Sequence, residues 1–391
     1  MSLNTLTIGL LIIASFFCLA SNAQEQPKDS VLLDFHPYGS FRAHMAYYDD
    51  ELELQENVSR IGFQIGVTNK KGLRFFVGAE LAMNLFKGPV QFNTDGNTNS
   101  GFLAIQNSQN RQVFSTRLGY VGIDFKKYGT IQMGKQWSVY YDITQFTDKF
   151  NVFGGQGSAT YVGNSDGGGS GTGRANQSVT YRLHWRNWFL GLQGQFDSTS
   201  NNYLVDGYGI SLQYELLDGL KIGSAINKKH LSRSIRENTL GLDGNPLYWS
   251  LGASFENSHW DLGFVYAYQE NGDYADTVIE NELIIGIYDA IGLELFTKFK
   301  QPRYSLIAGF NTYQPKISNV KFQSDLKHNY IILGGEYKPF RFGFIYLEYR
   351  ISNATDEFGV SDFNVLTAGL RLDLETKGSK FLKFPKLSQE P

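Results

Sequence analysis

Residues 247–268 read LYWSLGASFENSHWDLGFVYAY, in which Leu247, Trp249, Leu251, Ala253 and Phe255 alternate with Tyr248, Ser250, Gly252, Ser254 and Glu256. After the link Asn257-Ser258 the alternation resumes at Trp260, Leu262, Phe264 and Tyr266. A period of two gives each strand one apolar face and one polar or glycine-bearing face. The same period runs through SRIGFQIGVT (59–68), GYGISLQYE (207–215) and Leu366 to Asp373 near the end of the chain.

Alternation fits a soluble sandwich as well as a membrane barrel, and the connections discriminate. Short links at 69–72, 126–129, 216–219, 257–258, 300–303 and 338–340 take turns with long polar ones, roughly 49–58, 85–110, 138–176, 198–205, 228–245, 269–288, 314–327 and 352–361. Turns at one rim and loops at the other are the rhythm of an up-and-down barrel. The runs between them number sixteen, from 38–48 to 362–374 and including 259–268 and 289–299. An even number closes antiparallel, and most runs are near the ~9–11 residues that cross a bilayer at a tilt. Tyr47, Tyr48, Trp137, Trp185, Trp188 and Trp249 stand at strand ends, where membrane-interface aromatics are expected. Because an open sheet edge is intolerable in lipid, the sheet must close. The expected fold is all-β: a 16-stranded antiparallel transmembrane barrel over 24–374, with no linker and no second domain.

The 391-residue chain carries 15% aromatic residues and a formal net charge of −3. That balance offers no basic field to recruit nucleic acid. At the start, MSLNTLTIGLLIIASFFCLASNAQEQ holds an uncharged apolar run from Leu6 to Ala20, then Ser21 and Ala23 where an export peptidase needs small residues. It reads as a signal peptide, 1–23, cut after Ala23. The run is shorter than the ~20 residues of a membrane helix. Cys18, the one cysteine, lies inside it, so the mature chain has no disulfide, thiol chemistry or thiolate metal site.

Several stretches imitate catalytic motifs. GTIQMGKQ (129–136) fits G-x-x-x-x-G-K except that Gln136 replaces the metal-binding hydroxyl. A phosphate loop also needs a strand before it and a helix after it, whereas these residues themselves alternate as a strand. FGGQGSATYVGNSDGGGSGTGR (153–174) contains no G-x-G-x-x-G and precedes no helical pattern, which excludes a dinucleotide site. His36, His44, His184, His230, His259 and His328 are scattered, without hydrolase partners and without H-E-x-x-H. No catalytic site, metal site or cofactor is therefore expected. The acidic run DDELELQE (49–56) reads as a solvated loop.

MGKQWSVYYDITQFTDKFNVFGG (133–155) followed by GRANQSVTYR (173–182), with YGSFR (38–42) and SRIGFQIG (59–66) before and NVLTAGLRLDL (364–374) at the end, resembles the general diffusion porins of Gram-negative outer membranes. Motifs carry the resemblance from Tyr38 to Asp197, and strand rhythm carries it beyond. It implies that the third outer loop, 138–176, folds into the lumen and sets acidic side chains against a basic ladder on the wall. Carried over residue by residue, Arg60, Lys135 and Arg174 match ladder positions, and Asp148 matches an acidic loop position. Arg42 lies two residues past a ladder position occupied here by Ser40. By alternation Arg74 and Arg182 are further lumen candidates, and Asp142 or Asp166 can add loop acid. The glycine stretch becomes the far limb of the loop, where glycine permits a tight course along the wall.

Two departures from the family pattern stand out. The second loop carboxylate falls at Val152, and Lys149 stands beside Asp148, so a weaker cation preference is expected. Family members end on phenylalanine, but here Leu374 is followed by ETKGSKFLKFPKLSQEP, an extension over 375–391. The resemblance implies passive diffusion of ions and small hydrophilic solutes through an outer-membrane homotrimer that contacts lipopolysaccharide and is inserted by assembly machinery, with no enzymatic step. A substrate-selective porin for phosphate or another anion is the alternative on the same barrel. An enzyme would need a catalytic cluster. A purely structural barrel would need a filled lumen, and the glycines and small polar residues of the inward face imply room.

Overall fold

The computed structural model describes residues 31–83, 90–92, 105–107, 113–198, 203–279, 282–319, 325–356 and 359–375. The expected signal peptide, most of the 85–110 connection and the extension beyond Glu375 lie outside the described residues.

Sixteen antiparallel strands close into a barrel. In chain order they are β1 (Leu32–Tyr48), β2 in two parts (Glu51–Glu56 and Ser59–Thr68), β3 (Arg74–Met83), β4 (Phe114–Asp124), β5 (Thr130–Trp137), β6 (Arg174–Trp185), β7 (Trp188–Gln195) and β8 (Gly207–Leu217). They continue as β9 (Leu220–Lys229), β10 (Leu247–Glu256), β11 (Trp260–Ile279), β12 (Glu282–Lys300), β13 (Tyr304–Asn319), β14 (His328–Phe340), β15 (Gly343–Ser352) and β16 (Val365–Glu375). Each strand pairs with its neighbour in sequence, and β1 pairs with β16 from Tyr38–Glu375 to Tyr47–Leu366. Val90–Phe92 and Ile105–Asn107 form a separate short hairpin.

The two faces of each strand follow the alternation. On β10 Leu251 is 44% exposed while Ser250 beside it is fully buried. On β16 Leu366, Leu370, Leu372 and Leu374 are exposed, and Val365 and Thr367 are buried. An outer surface of bare leucine, isoleucine and phenylalanine over a polar interior is the inverse of a soluble protein, and is stable only against hydrocarbon. Short turns set the register at one rim. At the first of them the Gly72 N–H donates to the Asn69 carbonyl at 2.9 Å, and Gly72 takes φ 82°, which a side chain would oppose.

Three sequence expectations are corrected. The run DDELELQE is not a solvated loop: Asp49 and Asp50, at φ 45° and 59°, make a tight turn, and Glu51–Glu56 pairs with β1. Left-handed backbone at both central residues is what a two-residue hairpin turn requires, and aspartate tolerates it. The connection expected at 269–288 is also mostly ladder, continuing from Asp273–Tyr288 to Ile279–Glu282 beyond a bulge after Gln269. The bulge breaks the period of two there, which hid the continuation. Finally, Tyr48 and Trp137 do not join an interfacial belt. Tyr48 is buried against Val152 and Phe153, and Trp137 stacks on Tyr141.

Because Leu251 sits midway along β10 on the lipid side, Leu251→Arg should cost about 2–4 kcal/mol of folding free energy in a bilayer. Urea titration of the chain folded into lipid vesicles measures it, with Leu251→Ala as the control for lost apolar area.

Candidate functional site

Between β5 and β6 the chain leaves the wall at Ser138 and returns at Gly173, where Ser138 N–H donates to the Gly173 carbonyl at 2.9 Å. The Ser138 hydroxyl donates to the Thr172 carbonyl at 2.8 Å and accepts the Tyr141 N–H at 3.0 Å. One side chain thus closes the neck of the segment and starts the helical turn Tyr141–Thr144. The far limb carries a second turn, Ala159–Asn164, and then the glycine run. There Gly167 takes φ 68°, and its carbonyl accepts the N–H groups of Gly171, Thr172 and Gly173 at 3.0, 3.1 and 3.3 Å.

The segment packs on the polar faces of strands around the barrel. Val139 N–H donates to Gln193 of β7 at 3.0 Å, and Ser211 of β8 donates to Asp142 at 2.8 Å. Further round, Glu294 of β12 accepts Gly157 N–H at 2.8 Å and the Thr147 hydroxyl. Glu348 of β15 accepts the N–H groups of Asn151 and Val152 at 2.7 and 2.9 Å. Asn57, at the break in β2, donates to the Asn151 carbonyl at 2.6 Å. The apolar groups of the segment fill two clusters against the wall. Val152 and Phe153 meet Tyr48, Ile332, Tyr346 and Val365, while Tyr140, Ile143 and Phe146 meet Ala225, Tyr248 and Val265. Burial of each valine, isoleucine and phenylalanine among them contributes roughly 1.5–3 kcal/mol over exposure.

Wall glycines make room for this contact. A Cβ on Gly292 of β12 would lie 1.5 Å from the Gly157 carbonyl oxygen, and one on Gly263 of β11 would lie 2.0 Å from that of Phe146. The space that inward glycines offered in the sequence is, at these places, taken by the segment's own backbone.

Beside the segment lies a cavity of about 320 Å³. From the wall it is lined by Arg42, Arg60, Arg117, Arg174, Arg371 and Trp137, and from the segment by Tyr141, Asp148, Lys149, Val152 and Tyr161, among others. Five of the ten pore candidates named from the sequence therefore meet here: Arg42, Arg60, Arg174, Asp148 and Lys149. The other five lie apart from its lining. Lys135 pairs with Asp166 at 2.5 Å, and Arg174 reaches the same carboxylate at 3.4 Å. Arg182 pairs with Asp142 at 3.1 Å beneath the helical turn, and Arg74 pairs with Asp34 at 2.5 Å. Burial pushes the Asp142 carboxyl above its ordinary value in spite of Arg182. For Asp166 burial acts the same way, but Lys135 and Arg174 outweigh it and hold the carboxyl below its ordinary value.

Arg117 and Arg371 were missed for different reasons. Arg117 is the extra residue of a bulge, facing the register shift between Glu80 and Leu81, so simple alternation puts it on the wrong face. It turns inward to Glu80 at 2.6 Å, and Glu80 also accepts the Tyr38 hydroxyl at 3.1 Å. Arg371 alternates correctly onto the polar face, but its neighbour is Arg42, directly opposite across the seam between β1 and β16. The two guanidiniums tolerate each other through Ser40 and Asp373. Arg42 donates to Ser40 at 2.7 Å, Ser40 donates to Asp373 at 2.6 Å, and Arg371 donates to Asp373 at 2.9 Å.

A closed barrel with a lipid-facing exterior, a polar interior and a charged cavity defines a membrane-spanning β-barrel protein. The sequence matches the family model of the Gram-negative porin over residues 9–372, and the chain belongs to that family, whose place is the outer membrane. It is 27% identical to Outer membrane protein Omp-EA of Erwinia amylovora over 292 residues, 68% of this chain and 69% of that protein. It is 28% identical to Outer membrane protein F of Serratia marcescens over 193 residues, 45% of this chain and half (50%) of the relative's length. The fold superposes on OmpF of Salmonella typhi, solved in complex with daunomycin, with a TM-score of 0.66 at 16% identity, covering 88% of this chain and 97% of that one.

Gly292→Val should unseat the segment without breaking the β11–β12–β13 ladder, because the clash is with the Gly157 carbonyl. The expected result is a heat-modifiable barrel in detergent whose segment 138–173 becomes cleavable by protease, while the native segment resists.

Proposed function

We propose that the chain forms a water-filled channel through which ions and small hydrophilic solutes diffuse passively, with the segment 138–173 as its waist. The observation that carries this reading is the cavity at which five wall arginines face Asp148, on a segment anchored across the barrel by Glu294 and Glu348. Charges set opposite one another at a narrow opening orient dipolar solutes and water, while the width sets the size limit. No bond is made or broken in this process.

The charge balance is closer than a count of arginines implies. Lys149, which the sequence set against Asp148, pairs with Asp261 of β11 at 2.5 Å, and Arg117 is met by Glu80. The matched relatives favour the general channel over the anion-selective alternative. In this reading the signal peptide 1–23 is removed on export, and the barrel 24–374 assembles as a homotrimer through outer-membrane machinery and contacts lipopolysaccharide. The extension 375–391 follows it.

Deleting residues 153–170 tests the waist. The segment contributes no strand to the barrel sheet, so the barrel should still assemble, with a higher single-channel conductance and a larger solute cut-off in liposome swelling. An assembled deletion variant with native conductance and cut-off would refute the assignment.

A further inference from the structure

Among the described residues lining the cavity Asp148 is the one carboxylate, and it shares the space with the guanidiniums of Arg42, Arg60, Arg117, Arg174 and Arg371. An aspartate among so many cations gains most by closing onto one of them in a charge-assisted hydrogen bond. Yet none of the ion pairs among the described residues includes Asp148. Its Oδ2 atom instead accepts two phenol hydroxyls, Tyr141 at 2.9 Å and Tyr161 at 2.9 Å.

The two phenols come from opposite limbs of the segment. Tyr141 starts the helical turn on the near limb, and Tyr161 lies in the turn Ala159–Asn164 on the far limb. Neither ring is free to follow the carboxylate. Tyr141 stacks on Trp137 with centroids 4.0 Å apart and planes at 16°, and Trp137 in turn lies 5.5 Å from the Arg174 guanidinium. Tyr161 is buried. Burial, reinforced by the negative charge of Asp148, holds both phenols well above their ordinary pKa, so both stay donors throughout the working pH range.

We infer that Tyr141 and Tyr161 are positioning residues that hold Asp148 away from the wall arginines, and that the ion preference of the channel depends on this separation. The inference rests on reading the cavity as the waist. Two opposite charges kept apart across an aqueous opening present both signs to a passing ion. The same charges in contact largely cancel at the distance of that ion. Without the phenols, Asp148 is expected to fall onto a guanidinium and cease to attract cations.

The experiment is a double-mutant cycle read by the zero-current potential of single channels across a KCl gradient, with Asp148→Asn, Tyr141→Phe, Tyr161→Phe and each Tyr→Phe combined with Asp148→Asn. Asp148→Asn should lower the permeability of potassium relative to chloride. Each Tyr→Phe should move the ratio in the same direction by less, since pairing silences one guanidinium along with the carboxylate. In the Asp148→Asn background, Tyr→Phe should change nothing further. A native ratio in both phenylalanine variants overturns the inference while leaving the waist in place. An equal shift with and without Asp148 also overturns it, because the phenols would then act on pore shape alone. If Asp148→Asn itself moves nothing, the waist reading fails and the inference falls with it. The tyrosines are replaced separately, so that failure of one variant to assemble leaves the other to decide.

Discussion

At bilayer depth every backbone N–H and C=O must find its partner within the protein, because hydrocarbon offers none. For this chain the demand is met only when β1 joins β16, from Tyr38–Glu375 to Tyr47–Leu366. Much of the rest depends on that seam. It fixes one face of every strand toward lipid and the other toward a shared interior. It also sets Arg42 beside Arg371, residues from opposite ends of the sequence that both line the cavity.

A closed wall creates a second demand, which the segment 138–173 must meet. Its backbone runs against the wall, and its own N–H groups have to be satisfied there. Glu294 and Glu348 do this with carboxyl groups, whose paired oxygens accept more than one hydrogen bond each. Burying those carboxylates is tolerable because their oxygens meet donors. Glycines such as Gly263 and Gly292 let the backbones approach closely enough for these bonds to form. Anchors, apolar clusters and missing side chains thus act together. Wall and segment specify one another, and the cavity is what their fit leaves over.

Much of the barrel was legible in the sequence because a period of two is a direct consequence of strand geometry. The run 247–268 is resolved as the hairpin β10–β11 with the expected faces. What was hidden lay where that period is interrupted. The bulge at Gln269 concealed the continuation of β11 and β12, the bulge at Arg117 concealed a cavity arginine, and the turn at Asp49-Asp50 made a strand of an acidic run. At the cavity the individual charges were readable and their pairing was not. Lys149 stands beside Asp148 in sequence but pairs with Asp261, and Asp148 itself is met by tyrosines from two limbs. Such partners are set by closure and by the path of the segment, neither of which leaves a local signature.

In the proposed channel, solutes pass between the wall arginines and Asp148. The one cysteine, Cys18, lies in the expected signal peptide, so single-cysteine variants of the mature chain report on one site each. Asp148→Cys, Arg60→Cys and the lipid-side Leu251→Cys are incorporated into planar bilayers and treated with a water-soluble, membrane-impermeant methanethiosulfonate during single-channel recording. Modification at positions 148 and 60 should lower the current in discrete steps, while position 251 stays silent. A current unchanged after verified modification at 148 and 60 would place the permeation path elsewhere and contradict the account.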